Sequence, residues 1–355
     1  ALHLKIARRL EAKALPTWPL ELGRHLEEGG DHEAARRAYQ AGAEAGIHRN
    51  EHQWMERSYR GVLRLSAQHS KERLEAAMAL SRRVLEPQGR LSEAQALLSA
   101  ALEDIHKGGP ASMEGRVGES LGWVLLLQGQ NEKAEAHIRA ALAIAETQGD
   151  RLLRCRSLNK LAAVIGDVES IEASMGIYEE TLGEAQALGL KQTQAHILGN
   201  LALGHLNLGQ LRSAIEISGR AQALARDIKD VQSENLALSI TAAAKYHCGE
   251  RAEALRILEE ALVRLESSES KAAQCVVRVL LGGHRLGQGR PDLALPMLLE
   301  AKSSLESQGL TFYVAHSGLI LAQVFRLAYN DIPQAERHCA ESLALFYQHQ
   351  FPYWA

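Results

Sequence analysis

LGNLALGHLNLG, residues 198–209, is the stretch from which the architecture of this chain follows most directly. Its apolar residues recur at intervals of three and four, which is typical of one face of an α-helix, and it ends at Gly209. A second helical pattern follows at once and carries Ala214 and Ala221. Glycine tolerates the left-handed backbone conformation that ends a helix in a tight turn. The segment therefore predicts two antiparallel helices joined by a glycine turn.

The same pattern of helix, glycine turn and helix recurs along the chain with a period of 40 residues. The turn glycines are Gly89, Gly129, Gly209, Gly249 and Gly289. Alanines follow them at Ala94, Ala134, Ala214, Ala254 and Ala294, and again at Ala101, Ala141, Ala221, Ala261 and Ala301. A methyl side chain lets two helix backbones approach closely at little cost in helix propensity. Strand signals are nearly absent, so we predict an all-α array of helix pairs.

These positions resemble the tetratricopeptide repeat, which has a Leu-Gly or Leu-Ala pair in its first helix, glycine at the turn, and Ala, a large apolar residue and Ala in its second helix. The matching residues are Leu121, Gly122, Gly129, Ala134, Ile138 and Ala141; Leu201, Ala202, Gly209, Ala214 and Ala221; and Leu281, Gly282, Gly289, Ala294, Leu298 and Ala301. The period is similar to that of the longer-helix variety in kinesin light chains and in the sensor regions of bacterial signalling ATPases. Asn200 stands where those variants often carry asparagine.

The resemblance implies a right-handed superhelix, or α-solenoid, of about eight helix pairs. We expect the solenoid over residues 31–349, a short helical extension over residues 1–30 and an aromatic tail over residues 350–355. The fourth pair has an irregular turn near Gly166, so its register is open by one residue. In the last pair Asn330 replaces the turn glycine, which is acceptable because asparagine also adopts the left-handed conformation.

Composition excludes several classes of protein. The 355 residues carry 40 Lys and Arg against 43 Asp and Glu, without a basic cluster, so direct nucleic-acid binding is not expected. Neither a long apolar run nor a signal peptide is present, so no membrane association is expected. Four cysteines without a C-x-x-C pair favour reduced, buried thiols and a cytoplasmic location. They are Cys155, Cys248, Cys275 and Cys339.

Residues 21–45 carry a second resemblance, to the junction that leads into the repeats of bacterial STAND-type signalling ATPases. This implies the sensor region of a larger regulator of signalling or transcription. The chain contains no G-x-x-x-x-G-K-[ST] loop, so we expect no nucleotide or other cofactor to bind in it. The alternative is a free-standing scaffold or adaptor. An enzyme is poorly supported, because no paired acidic residues indicate a catalytic centre.

A superhelix of this kind lines its concave side with the first helix of each pair, where a peptide or protein contacts many repeats at once. Positions that face the groove in the family predict the contact residues, in which Arg, Asn and aromatic side chains supply hydrogen bonds and contact area. They are Arg83, Arg116, Glu119, Trp123, Asn200, Leu203, Asn207, Tyr246 and His247, with Arg156, Asn159 and Lys160 in the irregular fourth pair.

The C-terminal 44 residues hold an excess of aromatic side chains. They cap the end of the solenoid or provide a docking surface, and we predict that Phe351, Tyr353 and Trp354 bind a following domain or a second copy of the chain. No metal site is predicted. His48 and His52 have the spacing of a metal pair on one helix face, but without a third ligand we interpret them as solvated.

Overall fold

The computed structural model describes residues 2–13, 18–49, 51–168, 170–266 and 271–348. The chain divides into two compact units, Ala1–Val124 and Leu125–Ala355. The described residues form α-helices with short π and 3₁₀ segments and contain no strand. None of these helices combines the length and the apolar character that crossing a membrane requires. The all-α prediction is confirmed.

The first unit begins with six helices, and α7 contains the boundary between the units. The helices are α1 Leu2–Lys13, α2 Trp18–Glu28, α3 His32–Arg49, α4 His52–Leu65, α5 Lys71–Leu80, α6 Leu91–His106 and α7 Glu114–Leu127.

The second unit continues the alternation of first and second helices. Its helices are α8 Asn131–Gln148, α9 Arg151–Val168, α10 Ile171–Ala187, α11 Lys191–Asn207, α12 Leu211–Asp227, α13 Val231–His247, α14 Arg251–Glu266, α15 Lys271–Gly287, α16 Pro291–Gln308, α17 Thr311–Val324 and α18 Ile332–Gln348.

The turns within the helix pairs have the predicted chemistry. Gly209 has a φ of 71°, and its N–H donates to the Leu206 carbonyl while the next N–H, of Gln210, reaches back to His205. These bonds satisfy carbonyl groups at the end of α11 that would otherwise lack a partner. Asn330 has a φ of 50°, so asparagine does replace glycine in the last pair.

The predicted alanines lie where the helices cross. Ala94, Ala134, Ala214, Ala254 and Ala294 each have 0% exposure. Leucine, isoleucine and valine side chains fill the space around them, so each pair contributes one layer to the core.

Three regions differ from the simple period. Gly30, with a φ of 86°, joins α2 to α3 by the same kind of turn, so helix pairing extends N-terminal to residue 31. Two π-helical segments, Ser81–Leu85 and Phe325–Tyr329, extend α5 and α17. In the irregular fourth pair α9 continues through Gly166, and Ser170 caps α10 by accepting from the Ala173 N–H. The expected domain boundaries at residues 30 and 349 stay a prediction.

In the second unit, first helices contact each other as well as their own partners. The contacts run from α9 to α11, then to α13, α15 and α17. These five helices therefore form one continuous layer, which we call the first-helix layer. The groove residues predicted for this unit lie on the helices of this layer.

Candidate functional site

A stripe of side chains on α11 lies at the centre of the first-helix layer. Asn200 is half-buried, whereas Leu203 and Asn207 are exposed. Intervals of three and four place these residues, with the exposed His196 one turn earlier, on a single helix face. An exposed leucine beside two amides offers both apolar contact and hydrogen bonds to a partner.

The structure brings Asn159 and Asn200 together from neighbouring repeats. Asn200 Nδ2 donates to Asn159 Oδ1 at 3.3 Å, although the residues are 41 apart in sequence. Asn159 is 9% exposed. The bond leaves the Asn200 amide oxygen and one of its hydrogens for other partners, because an amide offers two donor hydrogens and an acceptor oxygen.

The basic residues predicted on α9 lie next to this pair. Arg156 and Lys160 are separated by one helical turn and are both half-buried. Residues four apart lie on the same helix face, so both basic side chains belong to this end of the layer. Burial of their aliphatic stems still allows the charged groups to reach solvent.

On α15 the corresponding stripe is apolar, whereas on α17 the half-buried His316 and the exposed Gln323 flank a single apolar residue, Ile320. Two periods after His196, Asn200 and Leu203 come Val276, Leu280 and Gly283, which are half-buried. Three periods after Asn200 comes Ile320, also half-buried. The stripe therefore changes from polar and basic on α9 and α11 to apolar on α15.

Tyr246 and His247 lie at the end of α13, where aromatic rings of two repeats meet. The Tyr246 ring stacks on His284 of α15 with centroids 4.1 Å apart, and His247 packs edge-on against it at 5.8 Å. The Arg251 guanidinium lies 5.3 Å from the centre of the Tyr246 ring. Tyr246 therefore contributes to contact between repeats as well as to the surface, whereas His247 is exposed.

His284 is a neutral histidine within this aromatic cluster. Burial, together with the smaller effect of the nearby His247, lowers its pKa to about 4. Its Nδ1 atom is buried without a hydrogen-bond partner. A neutral ring stacks on Tyr246 without placing a charge inside the repeat interface. His284 was not predicted as a site residue, although its position 38 residues after Tyr246, near one full period, indicates the contact.

The other predicted residues belong to the first unit. Arg83 lies in the π-helical segment Ser81–Leu85 and is half-buried, as are Arg116 and Trp123 on α7. Glu119 has 0% exposure, so its side chain does not lie on the surface that the groove prediction requires. The equivalent residues one and three periods later, Asn159 and Ser239, are also buried, so Asn159, which was predicted to face the groove, likewise offers little surface to a partner.

The C-terminal aromatics divide into two groups. Phe346 has 0% exposure and packs with Ala315 and Phe312, so part of the aromatic excess does cover the end of the core. Phe351, Tyr353 and Trp354 lie outside the described residues, and their docking role stays a prediction.

Two smaller predictions are wrong. Cys248 is exposed, because it lies in the turn that ends α13 and not on a packed helix face. His52 is 4% exposed and is therefore not solvated, since it lies on the buried side of α4.

No protein-family model matches the chain, and a search of curated proteins likewise gives no match. Solved structures do match. A Rap protein complexed with competence and sporulation factor has a TM-score of 0.66 at 14% identity, covering 93% of this chain and 97% of that one. The Rap conjugation gene regulator of plasmid pLS20, complexed with the Phr* peptide, has a TM-score of 0.64 at 13% identity, covering 85% of each chain.

A STAND protein with a tetratricopeptide repeat sensor from Pyrococcus horikoshii is also similar. The TM-score is 0.53 at 14% identity, and the match covers 98% of this chain but 53% of that protein. At such identities the likeness establishes the fold alone. The chain has the tetratricopeptide-type, all-α repeat fold that its glycine and alanine spacing predicts.

Proposed function

We propose that the chain is a non-catalytic receptor for an extended peptide or protein segment, bound along the first-helix layer. The observation that carries this proposal is the change of the stripe from basic and amide side chains on α9 and α11 to apolar side chains on α15. A peptide that lies across the helices would meet each repeat in turn, and its backbone could bond to the amides.

The charge distribution favours one class of ligand. Arg156 and Lys160 attract carboxylates, whereas Val276 and Ile320 suit apolar side chains. We infer that the ligand carries acidic residues or its C-terminal carboxylate at the α9 end and apolar residues at the α15 end. Two of the similar structures are described as complexes of Rap proteins with a factor or a peptide, which supports this use of the fold.

The binding domain could belong to either of two kinds of protein. The STAND neighbour supports the sensor of a larger signalling or transcription-regulating ATPase, in which binding would shift an attached ATPase between resting and assembling forms. The Rap neighbour matches over 97% of its own length, which supports a free-standing regulator or adaptor. Finding a nucleotide-binding loop in the same reading frame upstream of Ala1 would favour the sensor, and its absence would favour the adaptor.

The receptor proposal is tested by selecting peptides from a displayed random library on the purified chain and measuring their affinity. We expect acidic and apolar residues to be enriched at separate positions. Asn200→Ala combined with Arg156→Ala should weaken the selected peptides by about 2 kcal/mol or more, as loss of a central anchor does. Arg139→Ala, which removes an exposed arginine of α8 that pairs with Glu135 at 2.6 Å, is the matched control.

Trp123→Ala is measured separately, because Arg83, Arg116 and Trp123 are proposed contacts of the first unit. If the double variant and the Arg139→Ala control bound the peptides with equal affinity, the first-helix layer would not be the binding surface. Loss of binding in Trp123→Ala alone would move the proposed contact to the first unit.

A further inference from the structure

Three side chains that commonly bind metals converge where α1 packs on α2. His3 comes from α1, and His25 and Glu28 lie one turn apart near the end of α2. His3 Nδ1 lies 2.9 Å from His25 Nδ1 and 2.7 Å from Glu28 Oε2. The three candidate ligand atoms all lie within 4.8 Å of one another, and within the part of the chain that the structure describes no other group of three or more has this arrangement.

While both imidazoles are neutral, hydrogen bonds satisfy this arrangement only in part, whereas a protonated His3 would donate to Glu28 as an ion pair. An ionised carboxylate only accepts, and a neutral imidazole carries a single N–H on one of its two nitrogens. If His3 Nδ1 carries the proton, that proton faces two acceptors at once. If His25 Nδ1 carries it, the Glu28 oxygen faces the lone pair of His3 Nδ1 at 2.7 Å. A cation at the centre would accept a lone pair from all three atoms.

The donor set fits a divalent transition metal. Two imidazole nitrogens and one carboxylate oxygen are ligands that Zn²⁺ binds in proteins, with a fourth position left for water. Tetrahedral zinc at normal bond lengths holds its ligand atoms roughly 3.3 Å apart. The observed separations of 2.7 Å and 2.9 Å would have to widen by roughly half an ångström, which partly exposed side chains at a helix end can do.

The location gives such a metal a structural consequence. In the described part of the chain, few other apolar contacts hold α1. Ala7 is 1% exposed, and Leu4 packs so closely on Gly29 that a Cβ added to Gly29 would lie 2.7 Å from Leu4 Cδ2. We propose that His3, His25 and Glu28 form a zinc-type metal site that ties α1 to α2. The site goes beyond the proposed peptide binding and does not depend on it.

The test is a zinc titration of the full chain by calorimetry after dialysis against a chelator. We expect one Zn²⁺ to bind per chain and the melting temperature to rise with zinc concentration, because a ligand of the folded state stabilises it by mass action. Co²⁺ should bind at the same site and give the visible absorption of a four-coordinate ion. His3→Ala and His25→Ala should each lose at least about tenfold in zinc affinity, since even residues that only support a ligand contribute this much.

His32→Ala is the matched control, because His32 is an exposed histidine at the start of the next helix and lies outside the cluster. It should bind zinc as the unmodified chain does. Glu28→Gln keeps the size of the side chain, which is 43% exposed, and serves as the third variant if His25→Ala fails to fold. Failure of the unmodified chain to bind zinc, or equal binding by His3→Ala, Glu28→Gln and His32→Ala, overturns the proposal.

Discussion

Two adjacent glycines in α15 have different surroundings. A Cβ on Gly282 would lie 2.6 Å from Leu298 Cγ, and Leu298 is fully buried. A Cβ on Gly283 would lie 3.5 Å from Ile320 Cδ1, which is an ordinary van der Waals distance. Gly282 is therefore required for the close crossing of α15 and α16, whereas Gly283 is not required by packing.

Gly282→Ala should consequently lower stability, whereas Gly283→Ala should not. Alanine overpacks the first site, and we expect the free energy of unfolding to fall by about 1 to 3 kcal/mol. At the second site the better helix propensity of alanine should leave stability unchanged or raise it by up to about 1 kcal/mol. Denaturant unfolding of both variants measures this. A Gly282→Ala variant as stable as Gly283→Ala would show that α15 and α16 do not cross this closely.

His284 should make stability depend on pH. Its pKa is about 4 in the folded chain because of burial and the neighbouring His247, against an ordinary value of about 6.5 when unfolded. The unfolded state therefore binds the proton first as the pH falls. The contribution of neutral His284 to the free energy of unfolding is fully present above about pH 6.5 and is lost as the pH falls towards 4.

His284→Phe keeps a ring against Tyr246 but cannot titrate. Between pH 7.5 and pH 5 the unmodified chain should lose about 2 kcal/mol more of its unfolding free energy than this variant does. Unfolding curves of the two proteins at both pH values test the expectation. Equal losses would show that the His284 ring reaches solvent in the folded state.

At the scale of elements, α12 shows how a small residue sets the distance between helices. Ala214 has 0% exposure and packs with Ala202, Ile240 and Ala244 from the two neighbouring first helices. Ala223, on the same helix, is exposed. One α12 alanine thus fills a junction between two repeats, and another has room for a larger side chain.

Ala214→Leu should destabilise the fold by about 1 to 3 kcal/mol, because the added methylenes enter a filled interface. Ala223→Leu adds the same atoms on the surface and should change stability by less than about 0.5 kcal/mol. Thermal or denaturant unfolding of the pair separates the two effects. If Ala214→Leu unfolded at the same midpoint as Ala223→Leu, the register of the helices at this junction would differ from the one described.

At the scale of the whole molecule, the repeat could be predicted because its signals are local. A turn at Gly209 or Asn330 needs a left-handed residue, and a crossing at Ala214 needs a small one, so both requirements appear at fixed positions of the sequence. Local chemistry and a constant spacing were sufficient for these features.

Contacts that depend on side-chain direction could not be predicted in the same way. The burial of Glu119 reflects which side of α7 faces the core, and a period cannot resolve a rotation of one residue. His3 and His25 belong to two separate helices, α1 and α2, and follow no repeat. The π-helical segment at Ser81–Leu85 is a local change in the backbone hydrogen-bond pattern that the apolar spacing of the sequence does not indicate.

The arrangement of contacts within the second unit leads to a prediction for its local unfolding. α12 packs mainly on α11 and α13, and the first-helix layer connects each repeat to the next, as in other repeat proteins. A local defect should therefore spread to neighbouring repeats and fade with distance along the chain.

In Ala214→Leu, amide hydrogen exchange followed by mass spectrometry should become faster in α11, α12 and α13 but stay near the rates of the unmodified protein in α17 and α18. Ala223→Leu should leave all five helices unchanged. An equal acceleration in α17 and α18 would mean that the unit opens as a single cooperative body, because stability would then be shared over repeats that have no contact with α12 among the described residues.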